Sequence, residues 1–302
     1  MNAPSHILVG IDFSPSSRNA LLTALRLAKA NQAKVTALHV MDPTLADEIK
    51  VAHGYSDSGL HAFMAERLRT FAAFKGVATT ESLTFEFDTG PDFLTLVHWC
   101  NKLHAKLLVL GSRGRTHASH QIGAIAARCA RQAPADVLLV REEMRHPFRH
   151  IVACVDFSET SADAVRLAAE VAQAEGSKLD CLYVNQTALA LSLDYSGYLP
   201  ALEIPDSTTT PHWEAELKKF RQPLIPPSLA PRSRGVVSER VNVRDAIYEH
   251  VGQTGADLVV LGTRGSTGIR TLLMGTTAER IITHSPCSVL AVKPGGYEFR
   301  TE

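Results

Sequence analysis

Short apolar runs alternate along this chain with longer stretches whose apolar positions recur at helical spacing. The first run, residues 6–11, is followed by Asp12, Phe13, Ser14 and Pro15. Ser14 suits a helix cap and Pro15 a first helical residue, and Ala20, Ala24, Leu27 and Ala28 then repeat along one helix face. This predicts a strand, a sharp turn and a helix. The same device returns 144 residues later, with 151–155 as the strand, Asp156, Phe157 and Ser158 as the turn, and Ala164, Leu167, Ala168 and Val171 on the helix.

The second strands, 34–40 and 178–184, keep that offset. The fourth pair is plainer: 107–114 reads LLVLGSRG and 258–265 reads LVVLGTRG, each followed by a helix, a proline and an apolar strand, at 137–140 and 289–292. Residues 83–87 alternate as a third strand, and Gly90 with Pro91 precedes another helix; in the second half 236–243 takes this place. Four consecutive apolar residues at 258–261 read as a strand covered on both faces. Each half therefore predicts β-α-β-α-β-α-β-α-β, an α/β chain with a parallel sheet and right-handed crossovers. The chain is a duplication, with domains at 1–143 and 144–302 and a short charged joint at 141–149.

Between the fourth strand and the following helix of the second half, Gly262 and Gly265 frame a tight turn carrying Arg264. After nine intervening residues Gly275, Thr276 and Thr277 open the helix. Glycines there let backbone approach a ligand, and a helix start offers unpaired N–H groups with a partial positive charge. The combination suits a phosphate, with hydroxyls from Thr276 and Thr277 and charge from Arg264 and Arg270. The same residues also suit an ordinary strand-loop-helix connection, with the threonines as caps and Asp156 capping its own helix.

The pattern Gly-x2-Gly-x9-Gly-[Ser/Thr] between an apolar strand and a helix resembles the nucleotide loop of the universal stress protein family. That resemblance covers nearly the whole chain. It implies two repeated five-stranded parallel sheets, doubly wound, in the adenine nucleotide alpha hydrolase-like fold. It implies ATP in the second half, with magnesium carried by the phosphates. Asp156 and the backbone near Val184 would take the adenine and ribose end, and Leu261, Gly262, Arg264, Gly265, Gly275, Thr276 and Thr277 the phosphate end. The family's strand order sets the first strand beside the fourth, bringing these segments to one crevice. By the same resemblance, 137–140 and 289–292 face each other, so the two halves mimic a dimer within one chain; association of two chains stays open.

The first half departs from this pattern. Only eight residues separate Gly114 from Gly123, and Ala124 stands where the hydroxyl belongs. Arg113, Arg115, His117 and His120 leave the loop basic, so either a solvated loop or an anion site fits it; no Cys, Asp or Glu nearby completes a metal set with the two histidines. In the second half, prolines from Pro200 to Pro231 break a long connection with a short helix at 213–220. Its apolar beginning, Leu189 to Leu199, suits a lid, a partner surface or packing on the other half. The matching first-half connection, 43–76, predicts one surface helix with Phe63, Leu68, Phe71 and Phe74.

Composition narrows the classes. Lys plus Arg equals Asp plus Glu at 31 each among 302 residues, giving no global drive toward nucleic acid. No apolar run is long enough to span a membrane, and the start lacks a leader pattern, so a cytoplasmic protein is expected. The five cysteines are widely spaced in apolar surroundings and read as reduced core residues. Neither Gly-x4-Gly-Lys-[Ser/Thr] nor Gly-x-Gly-x2-Gly occurs, and no nucleophile, base and orienting acid form a set, so no catalytic residue is assigned. The expected function is an ATP-binding regulatory or protective stress protein, with at most weak hydrolysis. The alternatives are a slow ATPase or phosphotransferase, and a nucleotide-independent module for an apolar ligand or a protein.

Overall fold

The computed structural model describes residues 5–73, 82–114, 122–144, 146–186, 210–265, 274–297 and 299. The chain divides into two compact units, the first built mainly from 1–147 and the second mainly from 148–295.

In the first unit the strands are β1 (His6–Gly10), β2 (Lys34–Met41), β3 (Leu83–Thr89), β4 (Leu107–Gly111) and β5 (Asp136–Val140), all parallel, in the order β3-β2-β1-β4-β5. The second unit repeats this with β6 (His150–Val155), β7 (Lys178–Asn185), β8 (Ser233–Glu239), β9 (Leu258–Gly262) and β10 (Ser288–Val292), ordered β10-β9-β6-β7-β8. The middles of the central strands are buried because helices cover both faces; Ile7, Leu8, Val9, Leu258, Val259 and Val260 lose all contact with solvent. The order reverses between β1 and β4 and between β6 and β9. At such a reversal the crossovers leave on opposite faces and a crevice opens at the strand ends.

Helix α1 (Pro15–Asn31) begins as the sequence predicts: the Ser14 hydroxyl oxygen accepts a hydrogen bond from the Ser17 amide at 3.0 Å, with Pro15 in the first turn. Its counterpart (Glu159–Glu175) starts behind Ser158, whose hydroxyl accepts from the Ser161 amide at 3.1 Å. In each turn the preceding aspartate accepts the serine amide, Asp12 from Ser14 and Asp156 from Ser158, both at 3.0 Å. Asp156 thus locks the turn, and Ser158, not Asp156, is the cap. The residue between them is left-handed in both units, Phe13 at φ 62° and Phe157 at φ 61°. That conformation costs a bulky residue about 1–3 kcal/mol, yet it recurs because the aspartate and serine bonds over-determine the turn.

Two element boundaries differ from expectation. The single helix expected in 43–76 is a pair, α2 (Pro43–His53) and α3 (Asp57–Ala73), because Gly54 takes φ 67° and ends the first. Phe74 lies outside the described residues. The third strand of the second unit is 233–239 and not 236–243: the Asn242 side chain accepts from the amides of Arg244 and Asp245, at 3.0 and 3.5 Å, and so starts a helix at Val243. The short helix expected in the proline-rich connection exists, as Thr210–Arg221. Its Leu217 crosses Gly235 of β8 so closely that a Cβ there would lie 3.1 Å from Leu217 Cδ2. The apolar beginning of that connection, 189–199, lies outside the described residues.

For use below, α4 is Asp92–Lys102, α5 is Ala124–Gln132, α6 is Glu159–Glu175, α7 is Thr210–Arg221, α8 is Val243–Thr254 and α9 is Thr276–His284.

Candidate functional site

The crevice of the second unit forms where the turn after β6 meets the loop after β9. A Cβ added to Gly265 would sit 2.8 Å from Asp156 Oδ2, so two segments about a hundred residues apart touch there. Val184 joins them from β7: its neighbour Tyr183 pairs with Val155, the residue before Asp156. The helix start is tied to the same place, since the Gly275 amide donates to the Thr263 carbonyl at 3.1 Å. The structure therefore gathers Asp156, Val184, Leu261, Gly262, Arg264, Gly265, Gly275, Thr276 and Thr277 around the ends of three neighbouring strands and one helix. Arg270 lies outside the described residues.

The glycines have different tasks. A Cβ on Gly262 would lie 2.8 Å from Thr160 Cγ2, so this glycine lets α6 pack against β9 rather than leaving room for a ligand. Gly111 does the same in the first unit, where a Cβ would meet Ser16 Oγ at 2.6 Å and the Ser17 amide at 2.7 Å. Gly275 is the reverse case. Its φ of −58° and ψ of 140° suit any residue, and the nearest atom to an added Cβ is the Thr263 carbonyl oxygen at 4.0 Å. Among the described residues nothing comes closer than that to the position.

Thr276 and Thr277 do not cap the helix they open. Gly275 occupies the cap position, no side chain bonds to it, and both threonines are exposed. Their hydroxyls stand beside the first amides of α9, at the positive end of the helix dipole. Asp156 supplies a carboxylate whose Oδ1 is already engaged by the Ser158 amide and by the Ser158 hydroxyl at 2.5 Å, leaving Oδ2 toward Gly265.

One residue escaped the sequence reading. Thr263 is buried, with both its amide and Oγ1 donating to the Val292 carbonyl, at 2.9 and 3.1 Å, while its own carbonyl receives Gly275. It latches the loop's first turn to β10 and to the helix start. A hydroxyl residue after the strand glycine in both halves, Ser112 and Thr263, was the available signal. An aromatic layer over the turn was also missed: Phe157 lies 4.7 Å from Tyr183, 5.6 Å from Trp213 and 5.3 Å from Phe220, ring centre to ring centre. These rings come from three elements and meet only after folding.

The first unit repeats the crevice in altered form. A Cβ on Gly114 would be 3.3 Å from Asp12 Oδ2, and the Gly123 amide donates to the Ser112 carbonyl at 2.9 Å. Ala124 begins α5 without a side-chain cap. Arg113 reaches Glu143, at 3.7 Å. Arg115, His117 and His120 lie outside the described residues. Among the described residues no three His, Cys, Asp or Glu side chains are arranged to hold a metal ion, and no helix is long and apolar enough to cross a membrane.

The profile of the Universal stress protein family matches the chain twice, over residues 4–141 and 147–293. The Universal stress protein A homolog 1 of Coxiella burnetii is 30% identical over 146 residues, covering 48% of this chain and 96% of that protein. The Universal stress protein E homolog of Haemophilus influenzae is 28% identical over 170 residues, which span about half of each chain, 54% of both. Among solved structures, a universal stress protein from Archaeoglobus fulgidus aligns over 96% of this chain and 99% of its own, with a TM-score of 0.64 at 17% identity. A putative universal stress protein from Pseudomonas aeruginosa aligns over 97% and 94%, at 0.66 and 17%. At such identity these two speak for the fold alone. With the family pattern present in both halves and both sheets wound as that pattern implies, this chain belongs to the universal stress protein family.

Proposed function

We propose that the second unit binds ATP at its strand ends and that the protein serves a regulatory or protective role in the cytoplasm under stress. The adenosine portion lies toward Asp156 and the β7 end near Val184. The phosphates lie against Gly265, Gly275, Thr276 and Thr277, with Arg264 supplying charge, and magnesium arrives on the phosphates themselves. The observation that carries this reading is the uncapped start of α9. Among the described residues no side chain caps it, an added Cβ on the Gly275 that precedes it comes no closer than 4.0 Å to any atom, and Asp156 Oδ2 lies against Gly265 of the same loop. A triphosphate needs such donors, and a helix that merely closes a connection normally caps itself.

Binding without turnover is part of the reading. Hydrolysis needs a positioned water and stabilisation of the transferring phosphoryl group. Asp156 is instead held by its own turn and serves to orient the ligand.

Calorimetric titration of magnesium-ATP into wild type and Gly275→Val, with released ADP assayed alongside, tests this. Wild type is expected to show saturable binding without ADP. Gly275→Val, whose backbone angles suit valine, is expected to stay folded and to bind at least about tenfold more weakly, about 1.4 kcal/mol. A folded wild type that binds no ATP would sink the proposal, and steady ADP release would replace it with a slow ATPase.

A further inference from the structure

Thr263 is the residue through which the loop after β9 meets both the last strand and the start of α9. It is 2% exposed. Its amide and its Oγ1 both donate to the Val292 carbonyl at the end of β10, at 2.9 and 3.1 Å, and its own carbonyl accepts the Gly275 amide at 3.1 Å. Gly262 before it is closed in by Thr160 of α6, and Gly265 two residues on lies against Asp156 Oδ2. Gly275, and with it the first turn of α9, is therefore set against β9, β10 and the Asp156 turn by way of one residue.

The first unit keeps the two backbone ties and lacks the third. Ser112 follows Gly111 as Thr263 follows Gly262; its amide donates to the Val140 carbonyl of β5 at 2.8 Å and its carbonyl accepts the Gly123 amide at 2.9 Å. Its Oγ is buried with no hydrogen-bond partner among the described residues. A γ-methyl narrows χ1 and holds the Thr263 hydroxyl on its acceptor, a restriction that serine does not have. The hydroxyl tie thus stands in the half whose helix opens with Thr276 and Thr277, while the half whose helix opens with Ala124 goes without it.

We propose that Thr263 is a positioning residue of the nucleotide site: it fixes Gly275 before a ligand arrives, so that the first amides of α9 are already in place for phosphate oxygens, and the site's affinity depends on that tie. Donors fixed in advance do not have to be ordered on binding, an ordering that costs a loosely held loop affinity. This inference rests on the nucleotide reading above and goes beyond it by assigning affinity to a buried residue as well as to the exposed donors.

The test is magnesium-ATP calorimetry on the full chain as wild type, Thr263→Val and Thr263→Ser, with hydrogen exchange of the Gly275 amide followed by NMR in the absence of ligand. Thr263→Val keeps the shape of threonine and exchanges its hydroxyl for a methyl. The Val292 carbonyl still accepts the amide of residue 263, so no buried group is orphaned and the variant is expected to melt close to wild type. It is expected to bind ATP about threefold to tenfold more weakly, the worth of one hydrogen bond, and to exchange the Gly275 amide faster by a similar factor. Thr263→Ser, with the hydroxyl but not the methyl, is expected to fall between the two in both measurements. The proposal is overturned if wild type binds ATP and folded Thr263→Val binds it equally, or if Thr263→Ser binds no tighter than Thr263→Val. Should folded wild type bind no ATP, the nucleotide reading fails by itself, and Gly275 exchange then decides the tie alone: a faster rate in Thr263→Val upholds it and an equal rate overturns it.

Discussion

Gly262 and Gly275 stand thirteen positions apart in one motif and do opposite work. Replacing Gly262 by alanine drives a Cβ into Thr160 at 2.8 Å and forces α6 from the sheet, an overpacking cost of about 1–3 kcal/mol. Gly275→Ala sits at an ordinary backbone angle, meets nothing closer than 4.0 Å among the described residues, and is expected to change stability by less than about 0.5 kcal/mol. Urea denaturation of the two variants separates them, and equal effects would contradict the assignment. The spacing of these glycines was legible in the sequence, but their division of labour was not. Which glycine faces a helix and which faces space depends on how closely α6 lies against β9, and Thr160 sits a hundred residues away from the motif.

At the scale of elements, β6, β7, β8 and α8 are pinned together by one buried acid. Asp180 of β7 accepts from Arg234 of β8 through Nε and Nη2, at 2.9 and 3.0 Å, and from His250 Nε2 of α8 at 2.8 Å, with His150 Nε2 of β6 at 3.1 Å. Burial pushes the Asp180 carboxyl up, but the hydrogen bonds from His250 and Arg234 and the charges of His150 and Arg234 outweigh it and hold it well below the usual carboxylate range. A depressed carboxyl stabilises the fold above its unfolded pKa, near 4, and that contribution is lost as pH falls through the lower folded value. Asp180→Asn is therefore expected to cost about 3 kcal/mol at pH 7, and the difference from wild type to shrink below about pH 4. Melting curves at pH 7 and pH 3 check this; an unchanged difference would mean that the charge is not what ties these elements. None of the four residues stood out in the sequence, because each comes from a different element. The caps of α1 and α6 did stand out, since a serine and the three residues after it are enough to specify them. The start of α8 was misplaced because Val236, Val237, Val241 and Val243 carried the strand reading past Asn242, whose capping geometry outweighed strand propensity.

Across the whole molecule the five cysteines stand outside any disulfide, with Cys100, Cys129 and Cys181 buried and Cys154 and Cys287 partly so. Burial pushes the Cys100 and Cys154 thiols up to about 12 and Cys181 to about 11. Because the thiolate is the reactive form, these three are expected to resist a disulfide reagent at pH 8 in the native protein, with all five reacting in guanidinium chloride. Rapid native reaction of these three, identified by peptide mapping, would show that the cores open readily. The sequence by itself determined the duplication, the parallel winding of each half and the complete and incomplete loops, because strand and helix periods, caps and glycine spacings are local and repeat. Only the tertiary structure decided that Thr160 fills the space over Gly262, that Thr276 and Thr277 leave α9 uncapped, and that the Thr263 hydroxyl reaches the end of β10. Each of these depends on distances between segments far apart in the chain, which are set by strand order and helix packing and have no signature in any one stretch of residues.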